Sequence, residues 1–223
     1  MCETENEKVR VLLVDDHPVV REGLRLAISS RPEFHICGSV ADSIEATKVL
    51  EHVKPHAMVL DLGLKEGSGL DFIKQLQVSH PDLPILVLSA LDESDYAERS
   101  IRAGAKGYIM KGEPMEKLVL AMVSVAEGRT FLSEAVKSRI VERIMKNPTG
   151  ESDSPLAELS DRELQVFAEI GTGLNSRQIA EKLALSPKTV EAHCANIKRK
   201  LKLEGSSSLL RAAIRWTDTR TPV

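Results

Sequence analysis

The sequence has no apolar run that approaches the roughly 20 residues needed to cross a membrane. The segment CETENEKVR near its start also lacks the apolar stretch of a secretion signal. Cysteine is scarce, and Cys2, Cys37 and Cys194 form an odd set without CxxC spacing, which argues against a disulfide framework and a zinc site. These absences favour a cytoplasmic protein with reduced thiols and no membrane partner.

A strong charge of either sign is missing as well, since the net charge is only −3. Residues 155–223 carry 11 Lys and Arg against 8 Asp and Glu, whereas residues 1–154 carry 19 against 25. The C-terminal part is therefore mildly basic, which permits a polyanion as partner but is equally explained by a solvated surface. The composition is that of a globular protein, and the 223 residues suffice for two domains of about 100 residues each.

Short apolar runs alternate with stretches of helical periodicity in the first half of the chain. The runs are VRVLLV, HICGSV, AMVLDL, PILVLS and GYIM. Strands that are apolar on both faces and separated by helices are typical of a parallel sheet covered on both sides. The pattern predicts a doubly wound, five-stranded α/β domain over residues 8–127.

The following residues predict a linker and then a second, all-α domain. A helical stretch, SEAVKSRIVERIMKN, leads into NPTGESDSP, whose Pro, Gly and Ser content is typical of a flexible connection. Residues 128–154 are therefore assigned to a helical and flexible linker. Beyond it, capping signals and a last apolar stretch predict four short helices over residues 155–223. The capping signals are Ser160 with Glu163, Asn175, and Ser186 followed by Pro187.

Polar residues stand where the predicted strands end. Asp15 and Asp16 follow the first strand and Asp61 ends the third, while Ser89 and Lys111 come at the ends of the fourth and fifth. In an open parallel sheet these ends share one edge, where ligands bind. Three carboxylates there would repel each other, and a hard divalent cation is the sensible neutraliser. For any one of these residues, a helix cap or a surface ion pair is the alternative.

The motifs VLLVDDHPVVREGL, VLDLGLKEGSGLDFI, VLSALDESDY and AGAKGYIMK resemble the receiver domain of two-component response regulators. The resemblance covers the first domain in full. It implies that Asp61 accepts a phosphoryl group from a phosphohistidine of a sensor histidine kinase. It also implies a Mg²⁺ site made by Asp16, Asp61 and the main-chain carbonyl of Gly63, with Asp15 acting through water.

The same resemblance implies a switch. Lys111 would pair with the phosphoryl oxygens, and Ser89 would form a hydrogen bond with one of them, vacating space that the Tyr108 ring can enter. An amphipathic ring at a sheet edge is an equally good explanation of Tyr108. A hydrogen bond to a charged group contributes roughly 1.5–3 kcal/mol, whereas moving an equilibrium from 1:99 to 99:1 takes roughly 5.5 kcal/mol. Ser89 alone is insufficient, so the Lys111 contact and a dimer interface must supply the remainder, or the switch is partial.

The predicted helix that begins at Pro187 has one apolar face, formed by Val190, Cys194, Ile197 and Leu201. Its other face is polar. With the preceding SRQIAEKL and the short turn ALS, it predicts a helix-turn-helix whose second helix is presented to a DNA major groove.

The stretch LSDRELQVFAEIGTGLNSRQIAEKLALSPKTVEAHCANIKRKL resembles the LuxR-type DNA-binding domain, and a receiver joined to it is typical of the NarL/FixJ family. The resemblance implies base contacts by Glu191, Ala192 and Ala195; glutamate can accept from cytosine and alanine can meet a thymine methyl. His193 can contact phosphate or only pack. A solvated helix face is the alternative for the cations. Phosphate contacts are implied for Lys188, Thr189, Asn196, Arg199 and Lys200.

These features predict a cytoplasmic transcription regulator in which phosphorylation of Asp61 favours a homodimer and raises the affinity for a two-fold double-stranded DNA site. One alternative is a Mg²⁺-dependent phosphohydrolase with an aspartate nucleophile. Such enzymes use a DxD pattern whose second carboxylate is a general acid, and Gly63 occupies that place here, so no enzymatic turnover is expected. The other alternative is an adaptor that acts through protein contacts without phosphorylation.

Overall fold

A computed structural model describes residues 8–64, 68–146 and 155–218 of the chain. The polypeptide divides into two compact units, residues 1–146 and residues 147–223. Nearly all of the predicted flexible segment NPTGESDSP lies outside the described residues. None of the helices in the described ranges combines the length and the apolar character that a membrane crossing requires.

The first unit is built on a five-stranded sheet in which all neighbouring strands are parallel. The strands are β1 (Val9–Val14), β2 (Phe34–Val40), β3 (Ala57–Leu60), β4 (Ile85–Ser89) and β5 (Gly107–Met110). Their order in the sheet is β2-β1-β3-β4-β5. The predicted doubly wound α/β domain is thereby confirmed.

Helices cover the sheet, and their starts follow from local capping. Asp42, Ser68 and Asp92 accept backbone N–H hydrogen bonds at the starts of the second, third and fourth helices, and Pro18 opens the first. The helices of this unit are α1 (Pro18–Ser29), α2 (Ser43–His52), α3 (Gly69–Ser79), α4 (Glu93–Ala103), α5 (Met115–Ala126) and α6 (Glu134–Lys146).

The core of this unit explains where its site lies. Four consecutive residues of β1, from Val11 to Val14, and all of β3 are buried, because helices pack on both faces of the sheet. The chain runs from β1 outward to β2 and then back to β3 on the other side of β1. This reversal of strand order creates a crevice at the carboxyl ends of β1 and β3.

Helix α6 packs against α4 and therefore belongs to the first unit, whereas the sequence assigned it to the linker. Arg143 Nη1 donates to Glu98 Oε2 at 2.6 Å, and Arg139 Nη1 donates to the Ser94 carbonyl at 3.2 Å. Just before the helix, Ser133 Oγ donates to Glu93 Oε1 at 2.9 Å. Composition marked the flexible segment, but these contacts between distant residues carry no sequence signal.

The second unit opens with a 3₁₀ turn and contains the four expected helices. Ser160 and Glu163 form the capping box in both directions, and the side chains of Asn175 and Ser186 accept backbone N–H hydrogen bonds at the next two helix starts. The turn spans Pro155–Glu158, and the helices are α7 (Asp161–Gly171), α8 (Ser176–Lys182), α9 (Pro187–Lys200) and α10 (Ser206–Asp218).

Helices α7 and α10 approach closely in the core of this unit. The rings of Phe167 and Trp216 lie with their centroids 5.5 Å apart. Gly171 faces Ala213, and a Cβ at that glycine would stand only 2.8 Å from the Ala213 carbonyl oxygen. The absence of a side chain at Gly171 is therefore what permits this packing distance.

We expect Leu13→Ala to lower the free energy of unfolding of the first unit by about 2–5 kcal/mol, because Leu13 is fully buried in the core of the sheet and its truncation leaves a cavity. Leu26→Ala on α1 is the matched control, since Leu26 is 59% exposed, and we expect a change within about 0.5 kcal/mol. Denaturant titration followed by circular dichroism measures both. Equal effects would contradict the assignment of the core.

Candidate functional sites

The three predicted carboxylates meet at the carboxyl edge of the sheet. Asp15 and Asp16 directly follow β1, and Asp61 directly follows β3, where its backbone N–H donates to the Val14 carbonyl at 2.8 Å. All three side chains are buried, with exposures between 2% and 9%. One ligand atom from each of them and Nδ1 of His17 all lie within 4.8 Å of one another.

Lys111 is the cation that offsets this negative charge. Its Nζ lies 2.7 Å from Asp61 Oδ2 and 2.8 Å from Asp15 Oδ2. Burial acts to lower the pKa of Lys111, but the hydrogen bonds to Asp15 and Asp61 outweigh it and raise the pKa above its ordinary value. The Lys111 amine is therefore firmly protonated at neutral pH.

Asp61 remains in an unfavourable environment for a carboxylate. Burial raises its pKa above the ordinary value, although the Lys111 amine and the Gly63 amide act in the opposite direction. Gly63 donates its N–H to Asp61 Oδ1 at 3.1 Å. Lys111 contacts two of the three buried carboxylates, Asp15 and Asp61, so it offsets only part of their negative charge.

His17 belongs to this cluster and was missed by the sequence analysis. Its Nδ1 lies 2.7 Å from Asp16 Oδ1 and 3.2 Å from Asp15 Oδ1, while its backbone N–H donates to Asp15 at 2.8 Å. The ring is more than half exposed at the rim. Its position directly after Asp16, at the start of α1, was the available signal.

The donor set fits a hard divalent cation. Asp15 Oδ2 and Asp16 Oδ1 are buried, and the closest side-chain nitrogens to them are Lys111 Nζ at 2.8 Å and His17 Nδ1 at 2.7 Å respectively. Clustered carboxylate oxygens with unused lone pairs are the ligands that Mg²⁺ prefers. The residues present therefore match the predicted metal site.

Ser89 and Tyr108 both contact Leu91, in the loop between β4 and α4. The Leu91 N–H donates to Ser89 Oγ at 3.2 Å, and the Tyr108 hydroxyl donates to the Leu91 carbonyl at 2.6 Å. Both side chains are buried. Burial also raises the pKa of Tyr108 well above its ordinary value, so its hydroxyl remains a donor. The ring already lies inside the domain in this structure, and its movement stays a prediction.

The second unit presents one face of α9 to solvent. Val190 and Ile197 are buried and Cys194 is half-buried, in agreement with the predicted apolar face. Thr189 helps to begin the helix, since its N–H donates to Ser186 Oγ at 3.0 Å. The exposed residues include most of the predicted DNA contacts, namely Lys188, Thr189, Glu191, Ala192, Ala195, Asn196 and Arg199.

His193 and Lys200 differ from the other predicted contacts because both are half-buried. Burial lowers the pKa of His193, which favours its neutral form. Lys200 Nζ lies 2.6 Å from Glu163 Oε2. Burial acts to raise the pKa of Glu163, but hydrogen bonds from Lys200 and Ser160 outweigh this and lower it, so the carboxylate is charged. The charge of Lys200 is thus engaged within the domain.

Two family models match the chain, one on each unit. The model of the response regulator receiver domain matches residues 11–123, and the model of bacterial regulatory proteins of the luxR family matches residues 157–213. The chain therefore belongs to the response regulators that join a receiver domain to a LuxR-type DNA-binding domain, and it is a regulator of transcription.

Curated relatives extend over nearly the whole chain. The oxygen regulatory protein NreC of Staphylococcus epidermidis is 36% identical over 213 residues, covering 93% of this chain and 97% of the relative. A nitrate/nitrite response regulator protein homolog of Haemophilus influenzae is 35% identical, covering 87% of this chain and 91% of the relative. The likeness thus includes both domains and their order.

Solved structures are also similar to this chain, over most of its length in one case and over less than two thirds of it in another. RcsB of Salmonella enterica serovar Typhimurium, bound to promoter rprA in the presence of phosphomimetic BeF₃⁻, has a TM-score of 0.60 at 25% identity, covering 93% of this chain and 99% of that one. A LuxR-family two-component response regulator from Aurantimonas sp. has a TM-score of 0.57 at 31% identity and covers 62% of this chain and 99% of that one.

The environment of Asp61 predicts a pH-dependent gain from Asp61→Asn. The pKa of Asp61 is higher in the folded state than its unfolded-state value of about 3.9. The wild-type fold therefore loses stability as the pH rises through these two pKa values and Asp61 becomes ionised. Asparagine does not ionise, so the variant does not lose this stability as the pH rises. We therefore expect a higher unfolding midpoint for the variant at pH 7 in a chelator, and a gain that shrinks towards pH 4.

Thermal unfolding of the full chain at several pH values measures this effect. Asp82→Asn is the control, since Asp82 is exposed in a loop and should show no comparable gain. A gain from Asp61→Asn that is independent of pH would contradict the assigned environment.

Proposed function

We propose that Asp61 is the phosphoacceptor of the receiver and that its phosphorylation controls DNA binding by the C-terminal domain. The observation that supports this most strongly is the placement of one buried, incompletely neutralised carboxylate beside Lys111 at the crevice of the sheet. A buried carboxylate whose pKa is raised and which lies beside a lysine in a crevice is typical of a functional position.

The chemistry is an in-line transfer from a phosphohistidine of a sensor histidine kinase. A carboxylate oxygen of Asp61 forms the new bond to phosphorus while the bond from phosphorus to the histidine nitrogen breaks, and the imidazole leaves. The product is an acyl phosphate. Lys111 already contacts Asp61 Oδ2, so its ammonium can neutralise the charge that develops on the phosphoryl oxygens.

Asp16, Asp61 and the Gly63 carbonyl would hold Mg²⁺ in this reaction, with Asp15 contributing through water. The ion supplies additional positive charge next to the phosphoryl oxygens when it is bound. His17 stands at the same rim and orients Asp16 through its contact at 2.7 Å. Its exposed ring also forms part of the surface that an approaching kinase domain meets.

Ser89, Leu91 and Tyr108 form the route by which the modification is read. A Ser89 hydroxyl drawn to the phosphoryl group gives up its bond with the Leu91 N–H, and Leu91 is also held by the Tyr108 hydroxyl. Leu91 immediately precedes the cap of α4. Rearrangement of this loop therefore changes the receiver surface around α4, which supports a change in dimerisation.

DNA binding follows from the exposed face of α9. Glu191, Ala192 and Ala195 can reach base edges, while Lys188 and Arg199 can reach phosphates. A single module binds weakly, whereas two modules joined in a homodimer gain from effective concentration on a two-fold site. The similar RcsB structure, which contains promoter DNA and a phosphomimetic, supports DNA binding by this chain. The protein would act in the cytoplasm.

We expect Asp61→Asn to abolish phosphodonor-stimulated dimerisation and DNA binding, because the amide cannot form the acyl phosphate. Acetyl phosphate with Mg²⁺ serves as donor, sedimentation measures dimerisation, and fluorescence anisotropy measures binding to a duplex selected from a random pool. Asp82→Asn should respond as the wild type. Stimulation that survives in Asp61→Asn would refute the acceptor, and steady hydrolysis of phosphomonoesters by the wild type would favour the phosphohydrolase.

We expect Ser89→Ala to retain phosphorylation of Asp61 but to lose about ten- to a hundredfold of the stimulation of DNA binding. A hydrogen bond to a charged group contributes about 1.5–3 kcal/mol, and this variant removes one from the phosphorylated state. A phosphate-affinity gel measures the modification, and anisotropy measures binding. Ser79→Ala on α3 is the control, since Ser79 is exposed. Full stimulation in Ser89→Ala would remove Ser89 from the switch.

A further inference from the structure

We infer that Arg162 and Glu163, at the start of α7, position the recognition helix α9, and that Lys200 acts with Glu163 in this role rather than as a phosphate contact. This inference rests on the proposal that α9 reads DNA. It reassigns one predicted contact and adds two residues that sequence reasoning did not connect with DNA recognition.

Glu163 ties the last turn of α9 to the first turn of α7. Its Oε2 accepts the Ser160 N–H at 2.7 Å and lies 2.6 Å from Lys200 Nζ, so a single carboxylate oxygen serves both elements. The Glu163 side chain is 5% exposed, and that of Lys200 is 28% exposed. If Lys200 turned to a DNA phosphate, the Glu163 carboxylate would stay buried without its counter-ion, which is costly.

Arg162 holds the other end of the helix-turn-helix. Its Nη2 donates to the carbonyl of Leu183 at 2.7 Å, and its Nη1 donates to Gln165 Oε1 at 2.8 Å. Leu183 ends α8 and begins the turn that leads to α9. Two consecutive residues of α7 therefore bind the entry to the recognition helix and its last turn.

These polar contacts define the rotation of α9 about its own axis, which its apolar contacts do not. Val190 and Ile197 are fully buried and attach the helix to the core, but apolar burial is non-directional and leaves its rotation weakly defined. A hydrogen bond from Arg162 before the start of α9 and the ion pair of Glu163 with Lys200 at its last turn fix that rotation. Contacts to base edges depend on it closely, whereas a lysine can follow a phosphate with its flexible stem.

Salt dependence separates the two roles of Lys200. Each phosphate contact contributes about 0.9 to the slope of log K against log salt concentration, and losing it weakens binding to every sequence alike. A positioning residue leaves this slope unchanged and lowers the preference for the correct sequence. We therefore compare Lys200→Met and Glu163→Gln, which both remove the charge; glutamine keeps the length of the glutamate side chain, and methionine keeps an unbranched chain one atom shorter than that of lysine.

The full chain with beryllofluoride is titrated with a duplex selected from a random pool and with a scrambled duplex, at several salt concentrations. Both variants should weaken binding to the selected duplex by about tenfold or more, the loss expected for one or two disturbed base contacts. Binding to the scrambled duplex should change by less than about threefold, and the salt slope should stay at the wild-type value.

Two control variants show what the loss of a phosphate contact and the loss of an unrelated ion pair would each produce. Lys188→Met should weaken both duplexes and reduce the salt slope by about 0.9, as expected for a phosphate contact. Glu169→Gln lies on the same helix as Glu163 and removes the partner of Lys182, whose Nζ is 2.8 Å away, and it should leave the preference unchanged. A reduced slope in Lys200→Met together with normal binding by Glu163→Gln would overturn the inference.

A second measurement requires no DNA. Trp216 is the single tryptophan of the chain and packs on Phe167 of α7, so its fluorescence reports the unfolding of the C-terminal unit. If Glu163 and Lys200 act as a pair, the double variant should unfold at no lower a denaturant concentration than Lys200→Met, which leaves the buried Glu163 carboxylate without its counter-ion. Additive effects would overturn the pairing, and the fluorescence also identifies a variant that does not fold.

The two measurements distinguish failure of this inference from failure of the proposed function. If the wild type selects no sequence although the double variant shows coupling, DNA reading by α9 fails and the pairing stands. If the wild type selects a duplex but Lys200→Met behaves like Lys188→Met, the DNA function stands and the positioning role fails.

Discussion

Mutual repulsion among buried carboxylates is the constraint on which the receiver unit depends. The fold places Asp15, Asp16 and Asp61 within a few ångströms of each other because β1 and β3 are neighbours at the reversal of strand order. Lys111 offsets only part of the charge. The site therefore carries a free-energy cost that a bound divalent cation can relieve. The proposed phosphorylation of Asp61 would add negative charge, which Lys111 and such a cation would have to neutralise.

A buried carboxylate paired with a lysine occurs in both domains, but the pKa of the carboxylate is shifted in opposite directions. Glu163 is also a buried carboxylate paired with one lysine, but Ser160 satisfies it further and the pKa of Glu163 is lowered. Asp61 has a raised pKa in spite of its lysine. The pair of Glu163 and Lys200 is thus a stable structural link, whereas Asp61, the proposed acceptor, remains in an environment unfavourable for its charged form. Each carboxylate accepts a lysine and a backbone N–H, so the difference lies in burial, which outweighs these donors at Asp61, and in the neighbouring charge of Asp15, which also raises the pKa of Asp61.

Sequence patterns predicted the sheet, the four C-terminal helices and the convergence of the rim residues, because periodicity and capping are local and strand ends obey a topological rule. They did not predict His17 at the rim, the packing of α6 on α4, or the engagement of Lys200 by Glu163. Each of these depends on side-chain direction or on pairs of residues distant in sequence, which periodicity does not encode.

Helix α6 also limits which part of the surface of α4 a partner protein can reach. It covers one side of α4 through Arg139 and Arg143, and solvent-accessible polar links of this kind contribute at most about 1 kcal/mol each. Any protein that seeks that side of α4 must first compete with a segment of the same chain. Because α6 is joined to the same chain, its local concentration at this surface is high, and a competing protein must bind there tightly enough to displace it.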